Sequence, residues 1–252
     1  MSFLTPSNVA AYTEKPTLDN YVSSLTNVYA WSVLFRTLLL ATVTTLVTLI
    51  IGYPLAYHLS KASNRAKGTL MILIVSPLLV GVLVRTYGWI VILADKGVVN
   101  QTLIDWGLID RPLPLMYNSV GVVIGLVHIY LPFLVLPLAA RLQSISPEIE
   151  MAARGLGAGS WRTFWRIVWP LSLPGVQAGT VIVWILAFSS YVIPALLGGG
   201  HVVTASVLIV QTVLNEGNWP LGAAEATVLF LIMAIVVGLY TKLIGRFVSK
   251  WS

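Results

Sequence analysis

A chain of 252 residues that is 57% hydrophobic and only 10% charged, with a mean hydropathy of +0.87, falls outside the balance of a soluble globular domain. The formal net charge of +6 does not point to nucleic acid, because the basic residues gather at the ends of apolar runs, where membrane topology accounts for them. The absence of cysteine excludes disulfides and thiolate metal sites, and is compatible with either face of a membrane.

Residues 1–32 form a polar tail containing Pro6 and Pro16, with no basic segment followed by an apolar one that would export it. A bilayer core requires about 20 apolar residues per spanning helix. Five runs meet that length, at 33–59, 69–94, 118–140, 173–197 and 222–245. The fold expected is therefore all-α and polytopic: one transmembrane domain over 1–252, with three spanning helices in 33–140, a connecting segment at 141–172, and two more spans and the C-terminus in 173–252.

Charge sets the orientation, since short cytoplasmic loops collect Lys and Arg. Lys61, Arg65 and Lys67 follow the first run, Arg141, Arg154, Arg162 and Arg166 the third, and Lys242, Arg246 and Lys250 the fifth. The segment 141–172 and the C-terminus are thus expected inside and the N-terminus outside. A tail on the far side without an export signal leads us to expect that a preceding transmembrane helix is missing from the sequence.

A charged side chain at the centre of a membrane helix costs about 2.5–3.5 kcal/mol, so each one within a run needs a reason. Arg36, at the outer end of the first run, is expected to snorkel to the headgroups. Arg85 in the second run lies about ten residues, or 15 Å of helix, before the Asp95-Lys96 loop, which calls for a partner or a water-filled cavity. Glu225 in the fifth run is the carboxylate available to pair with Arg85 or to face a cationic substrate. Tyr87, Trp89, Tyr191 and Trp219 lie near the same level, either as a cage that attracts cations or as an ordinary interfacial belt. Pro194 to Gly200 closes the fourth run with a helix stop and three glycine joints, suited to an outer gate or to a plain loop. His58, His128 and His201 share no helical spacing, and no metal site is expected.

Between the third and fourth runs, residues 150–170 read EMAARGLGAGSWRTFWRIVWP. Ser146, Pro147 and Glu148 form a helix start: a hydroxyl cap, a proline at the first helical position and an acid at the positive end of the dipole. Ile149, Ala152, Ala153 and Leu156 follow at i, i+3, i+4 and i+7 as one apolar face, leaving Glu148, Glu150 and Arg154 for the other. The chain is expected to turn near Gly157, with Ser160 capping a second helix whose apolar face is Trp161, Phe164, Trp165 and Val168, and with Pro170 and Pro174 ending it. Two short amphipathic helices at the membrane surface result, packed into the interface or against a partner.

Met151-Ala152-Ala153, Gly157 and Ile167-Val168-Trp169-Pro170 resemble the E-A-A…G…I-x-L-P signature of permease subunits of bacterial ABC importers, with every spacing intact. Met151 stands where that signature has Glu, and Trp169 where it has Leu; Glu150 lies one residue earlier. Arg85-Thr86-Tyr87-Gly88, Leu131-Pro132-Phe133 and Trp219-Pro220-Leu221-Gly222-Ala223-Ala224 are similar to stretches of spermidine/putrescine-type permeases, whose six helices exceed by one the five found here.

That resemblance implies the type I ABC importer transmembrane fold, and half of a translocation path for a small organic cation such as spermidine or putrescine. It also implies four kinds of partner: a second homologous permease, an ATPase dimer, an external or periplasmic binding protein and the lipid of the bacterial inner membrane. Glu150, Met151, Ala152, Ala153, Gly157, Ser160, Ile167 and Pro170 become the ATPase-docking positions; Arg85, Tyr87, Trp89, Tyr191, Trp219 and Glu225 become the candidate substrate path. No phosphate-binding G-x-x-x-x-G-K-[ST] motif occurs, so ATP and Mg are expected on the partner and no cofactor in this chain. Alternatives are the same machinery carrying an opine, another small organic solute or ferric iron, and a secondary transporter or channel without an ATPase.

Overall fold

The computed structural model describes residues 1–5 and 13–248; Pro6 and Lys250 lie outside them. A short antiparallel pair, β1 (Leu4–Thr5) and β2 (Thr13–Pro16), precedes the helices and adds a strand element that an all-α reading did not include. The helices then run α1 (Asp19–Thr26), α2 (Val28–Lys61), α3 (Asn64–Val75), α4 (Val82–Leu93), α5 (Val98–Asp105) and α6 (Ser119–Gln143). Next come α7 (Pro147–Gly155), α8 (Ser160–Thr163), α9 (Trp169–Phe188), α10 (Val192–Leu197), α11 (Ala205–Leu214) and α12 (Trp219–Val248).

Four of the described helical stretches are long and apolar enough to cross a membrane: Val28–Lys61, Ser119–Gln143, Ser160–Phe188 and Trp219–Gly245. A fifth candidate is the broken pair Asn64–Leu79 and Val82–Asp105. These match the five apolar runs, with two corrections. The run at 69–94 is not one helix: Pro77 lies in a tighter 3₁₀ turn at Ser76–Leu79, and the chain is extended at Val80 before α4 begins. The run at 173–197 ends as a helix at Phe188, and Ser189-Ser190-Tyr191 separates it from the short α10.

Contacts divide the chain into two compact units. One comprises Met1–Thr42, Val82–Leu126 and Ala187–Val236. In it Val33 packs with Val203, Ala205 and Val207, and the Thr37 hydroxyl accepts the Ala205 N–H at 2.9 Å at the start of α11. Buried Asn100 fixes the loop after α4: its amide donates to the carbonyls of Ala94 and Leu113, and its oxygen accepts the Leu113 N–H at 2.7 Å.

The other unit comprises Val43–Gly81, Val127–Leu186 and the chain from Val237 onward. Its core joins Tyr53, Ala56 and Leu59 of α2 to Leu134, Val135, Leu138 and Leu142 of α6 and to Val176 and Val183 of α9. Fully buried Leu134 lies between two glycines: a Cβ on Gly52 of α2 would come within 2.6 Å of its Cδ2, and one on Gly179 of α9 within 3.0 Å of its carbonyl oxygen. Apolar helices in lipid gain little from hydrophobic burial against each other, so such close backbone approach is what holds them together. Threonine hydroxyls on these helices donate to the carbonyl one turn back, as Thr48 does to Thr44 and Thr180 to Val176, which removes the cost of a bare polar group in an apolar setting. Within the most apolar stretch of α12 no residue is buried by the rest of the chain.

Candidate functional site

The glycine-jointed segment is built as its sequence directs at its start and corner. Ser146 caps α7, its hydroxyl accepting the Glu148 N–H, with Pro147 at the first helical position. Gly157 takes φ +82°, and two reversed bonds close the helix end: Gly157 N–H to Arg154 O at 2.9 Å and Ala158 N–H to Ala153 O at 3.0 Å. Nothing lies within 4 Å of where a Gly157 Cβ would stand, so the glycine answers to backbone conformation and not to crowding within this chain.

Beyond the corner the structure corrects two expectations. Gly159, in extended backbone, occupies the cap of α8, and Ser160 is the first helical residue with no capping bond from its side chain. Pro170 and Pro174 do not end a surface helix; helical structure continues from Ser160 to Phe188. A π-turn at Phe164–Val168, in which the Trp169 N–H bonds to the Phe164 carbonyl five residues back, widens the helix just before Pro170 and accommodates a residue that lacks an N–H.

Within this chain α7 is buried only at Glu150. The apolar residues Ile149, Ala152 and Leu156 stand exposed, Leu156 at 90%, while Glu150 is the buried residue of the helix. Glu150 Oε1 lies 2.5 Å from Lys61 Nζ, the last residue of α2, and this is the one ion pair among the described residues. Met151, where the signature has Glu, is exposed at 69%. Ala153 and Ile167 are half-buried, Pro170 is buried, and Trp161 is exposed at 75%.

An aromatic column supports the segment. Tyr53 of α2 packs against Phe164 at 5.7 Å and Trp169 at 5.1 Å between ring centroids, and shares a 2.9 Å hydrogen bond with Ser172. Trp165 continues it to Trp161 and Trp169, 5.6 Å from each. Sequence spacing found the aromatics. It gave no sign of Lys61, which is 89 residues from Glu150.

The residues singled out for a substrate path lie in the other unit and do not form one cluster. Arg85 on α4 and Glu225 on α12 are not joined by an ion pair. Two guanidinium nitrogens of Arg85, Nε and Nη1, are buried without a hydrogen-bond partner. Glu225 is hydrogen-bonded to Thr212, but its Oε2 is buried and unpartnered. Glu225 lines a small cavity with Trp31, Leu34, Leu208 and Leu229, whereas Tyr191 lines a different one with Pro194, Gly200, Gln211 and Asn215. Tyr87 and Trp219 are exposed and Trp89 half-buried, and none of the three lines either cavity. Arg36 does more than snorkel: its Nη1 donates to the His201 carbonyl at 3.3 Å.

Residues 48–250 match the model of the binding-protein-dependent transport system inner membrane component family. The chain is 34% identical over 249 residues to the spermidine/putrescine transport system permease protein PotB of Haemophilus influenzae, covering 98% of this chain and 87% of that protein. It is 36% identical over 241 residues to PotB of Escherichia coli strain K12, covering 96% and 87%. Among solved structures it is similar to a bacterial ABC transporter that imports the acidic polysaccharide alginate, with a TM-score of 0.78 at 16% identity over 93% of this chain and 85% of that one. The MetNI methionine ABC transporter in an inward-facing form gives 0.59 at 16% identity, over 86% and 94%. At these identities the structural likenesses speak for the fold.

Proposed function

Because the chain belongs to the family of binding-protein-dependent transport system inner membrane components, a multi-pass ABC importer permease, we propose that it forms half of a translocation path for spermidine, putrescine or a closely similar organic cation. The observation that carries the substrate class is identity of 34–36% to spermidine/putrescine permeases across nearly the whole chain. Glu225 supports it, as a carboxylate on a spanning helix whose Oε2 has no protein partner and which borders a cavity beside Trp31. An ammonium group would satisfy that oxygen, and an adjacent indole face attracts cations.

Coupling runs through residues 146–170, with a separate ATPase dimer binding ATP and Mg. The supporting observation is a bare apolar face, Ile149, Ala152 and Leu156 with Met151 and Trp161 beside it, held on a stiff corner at Gly157. The same reading places this segment and the C-terminus in the cytoplasm and the N-terminus outside. A second permease completes the path, and an external binding protein delivers the substrate.

Proteoliposomes holding the assembled transporter and its binding protein test this directly. Uptake of labelled spermidine that depends on ATP and on the binding protein is expected. Uptake without ATP, or an assembly whose binding protein ignores polyamines, overturns respectively the coupling or the substrate.

A further inference from the structure

We propose that the Lys61–Glu150 ion pair is a strut that fixes the docking helix α7 to the spanning helix α2, and that the carboxylate at position 150 serves this chain rather than the ATPase. The inference rests on the reading of 146–170 as the docking segment.

α7 has nine residues, too few to hold a helix in water by propensity. Most of its side chains are exposed, and Glu150 is the one it buries. Among the described residues, the Glu150 bond to Lys61 is also the one hydrogen bond from α7 to a residue outside 146–170. Beyond that bond, α7 packs on α8 and the Phe164–Val168 turn and is held at its ends by the Ser146 cap and the Gly157 corner.

Lys61 is in turn held in position. It ends α2, where the helix dipole favours a cation, and its Nζ lies 5.8 Å from the ring of Tyr57, one turn earlier. Tyr57 meets Phe164 edge-on at 6.1 Å, and Phe164 begins the π-turn. The contacts therefore close a ring: from α7 through Glu150, Lys61, Tyr57 and Phe164, then back through Gly159 and Gly157 to α7. Without the ion pair, no hydrogen bond among the described residues would tie α7 to α2. Closure of the ring lets displacement of α7 reach α2 and the Phe164–Val168 turn together.

The two partners differ in exposure, the Lys61 side chain being 40% exposed and that of Glu150 10%. Removing Lys61 strands a buried carboxylate, whereas removing the charge of Glu150 leaves an ammonium that can still reach water. Lys61→Met is therefore expected to be the more damaging change. The position next to Glu150 presents the thioether of Met151 outward, so an exposed, uncharged side chain stands where the family signature has an acid.

The test uses the full transporter assembly in proteoliposomes and reads substrate molecules carried per ATP hydrolysed, alongside co-purification of the ATPase. Lys61→Met and Glu150→Gln are expected to lower the ratio several-fold, Lys61→Met more, with the ATPase still bound. To separate loss of the strut from misfolding of a single variant, the double variant Lys61→Cys/Glu150→Cys is made in this cysteine-free chain. Joining the two thiols with a short reducible cross-linker is expected to restore the ratio, and reduction to abolish it again. A ratio unchanged in both single variants, or a cross-link that restores nothing, overturns the strut while leaving the docking reading intact. Failure of the ATPase to co-purify with the unaltered chain overturns the docking reading, and the strut with it.

Discussion

In the segment proposed for docking, the one buried carboxylate, Glu150, holds an ammonium at 2.5 Å while Met151, Leu156 and Trp161 stand bare. At Glu225 of α12 the arrangement is reversed: apolar side chains such as Leu34, Leu208 and Leu229 line the cavity beside it, and its Oε2 lacks a protein partner. Physical chemistry assigns the two regions different kinds of ligand. A surface whose apolar groups are open gains free energy by excluding water, as a protein partner does. A lined recess with an unsatisfied oxygen gains by accepting a hydrogen-bonded charge, as from a small cation.

The largest effect that bears on this contrast is expected from Leu156→Glu. The side chain is 90% exposed, so folding is undisturbed, but a charge now sits in the apolar face. ATPase co-purification should fall by about 30-fold, the loss of roughly 2 kcal/mol typical of a central contact residue. Unchanged co-purification would show that α7 docks by another face.

Glu225→Gln comes next. It keeps the shape and removes the charge, so ATP-driven spermidine uptake is expected to drop about tenfold, in line with about 1.5 kcal/mol, the lower end for a hydrogen bond to a charged group. Insertion into the membrane should be no worse, since a neutral side chain there costs less than a carboxylate. Normal spermidine uptake would remove Glu225 from the path.

Gly157 separates backbone from packing. A side chain there meets no atom of this chain but must adopt a left-handed conformation costing about 1–2 kcal/mol. Gly157→Val is expected to reduce uptake more than Gly157→Asn, because Asn tolerates that region and a β-branched residue does not. Equal loss in both would place the effect in steric exclusion of the partner.

The smallest effect is expected from Met151→Glu, which installs the residue usual in the signature on an exposed position while Glu150 stays paired to Lys61. Uptake and ATPase binding should change by no more than about twofold, within the range of surface substitutions. A large change in either direction would show that position 151, and not the apolar face, governs the contact.

Much of this was legible in local patterns. Three of the five apolar runs marked spanning helices to within a few residues, and Ser146, Pro147 and Gly157 marked the start and corner of α7 through capping and backbone rules that act over three or four positions. Where two elements compete, local rules failed. Ser160 looked like a cap, but Gly159 reached that position first, and Pro170 looked like a terminus because helical periodicity does not reveal a π-turn. The face of α7 that turns inward was not legible either. Apolar periodicity identifies a stripe but not what covers it, and the deciding contact is with a lysine 89 residues away.

The wide turn at Phe164–Val168 has a consequence for phase. Each residue of an α-helix advances the side chains by about 100°, so one residue taken up by i+5 bonding resets every position after it. Ser172 reaches Tyr53, and Thr180 reaches Tyr240 at 2.6 Å, only in the reset register. Deleting a single residue from that turn would regularise the backbone bonds and at the same time swing both hydroxyls away from their tyrosines. The irregularity is thus the adjustment by which one continuous helix serves two surfaces that a regular one would leave out of step.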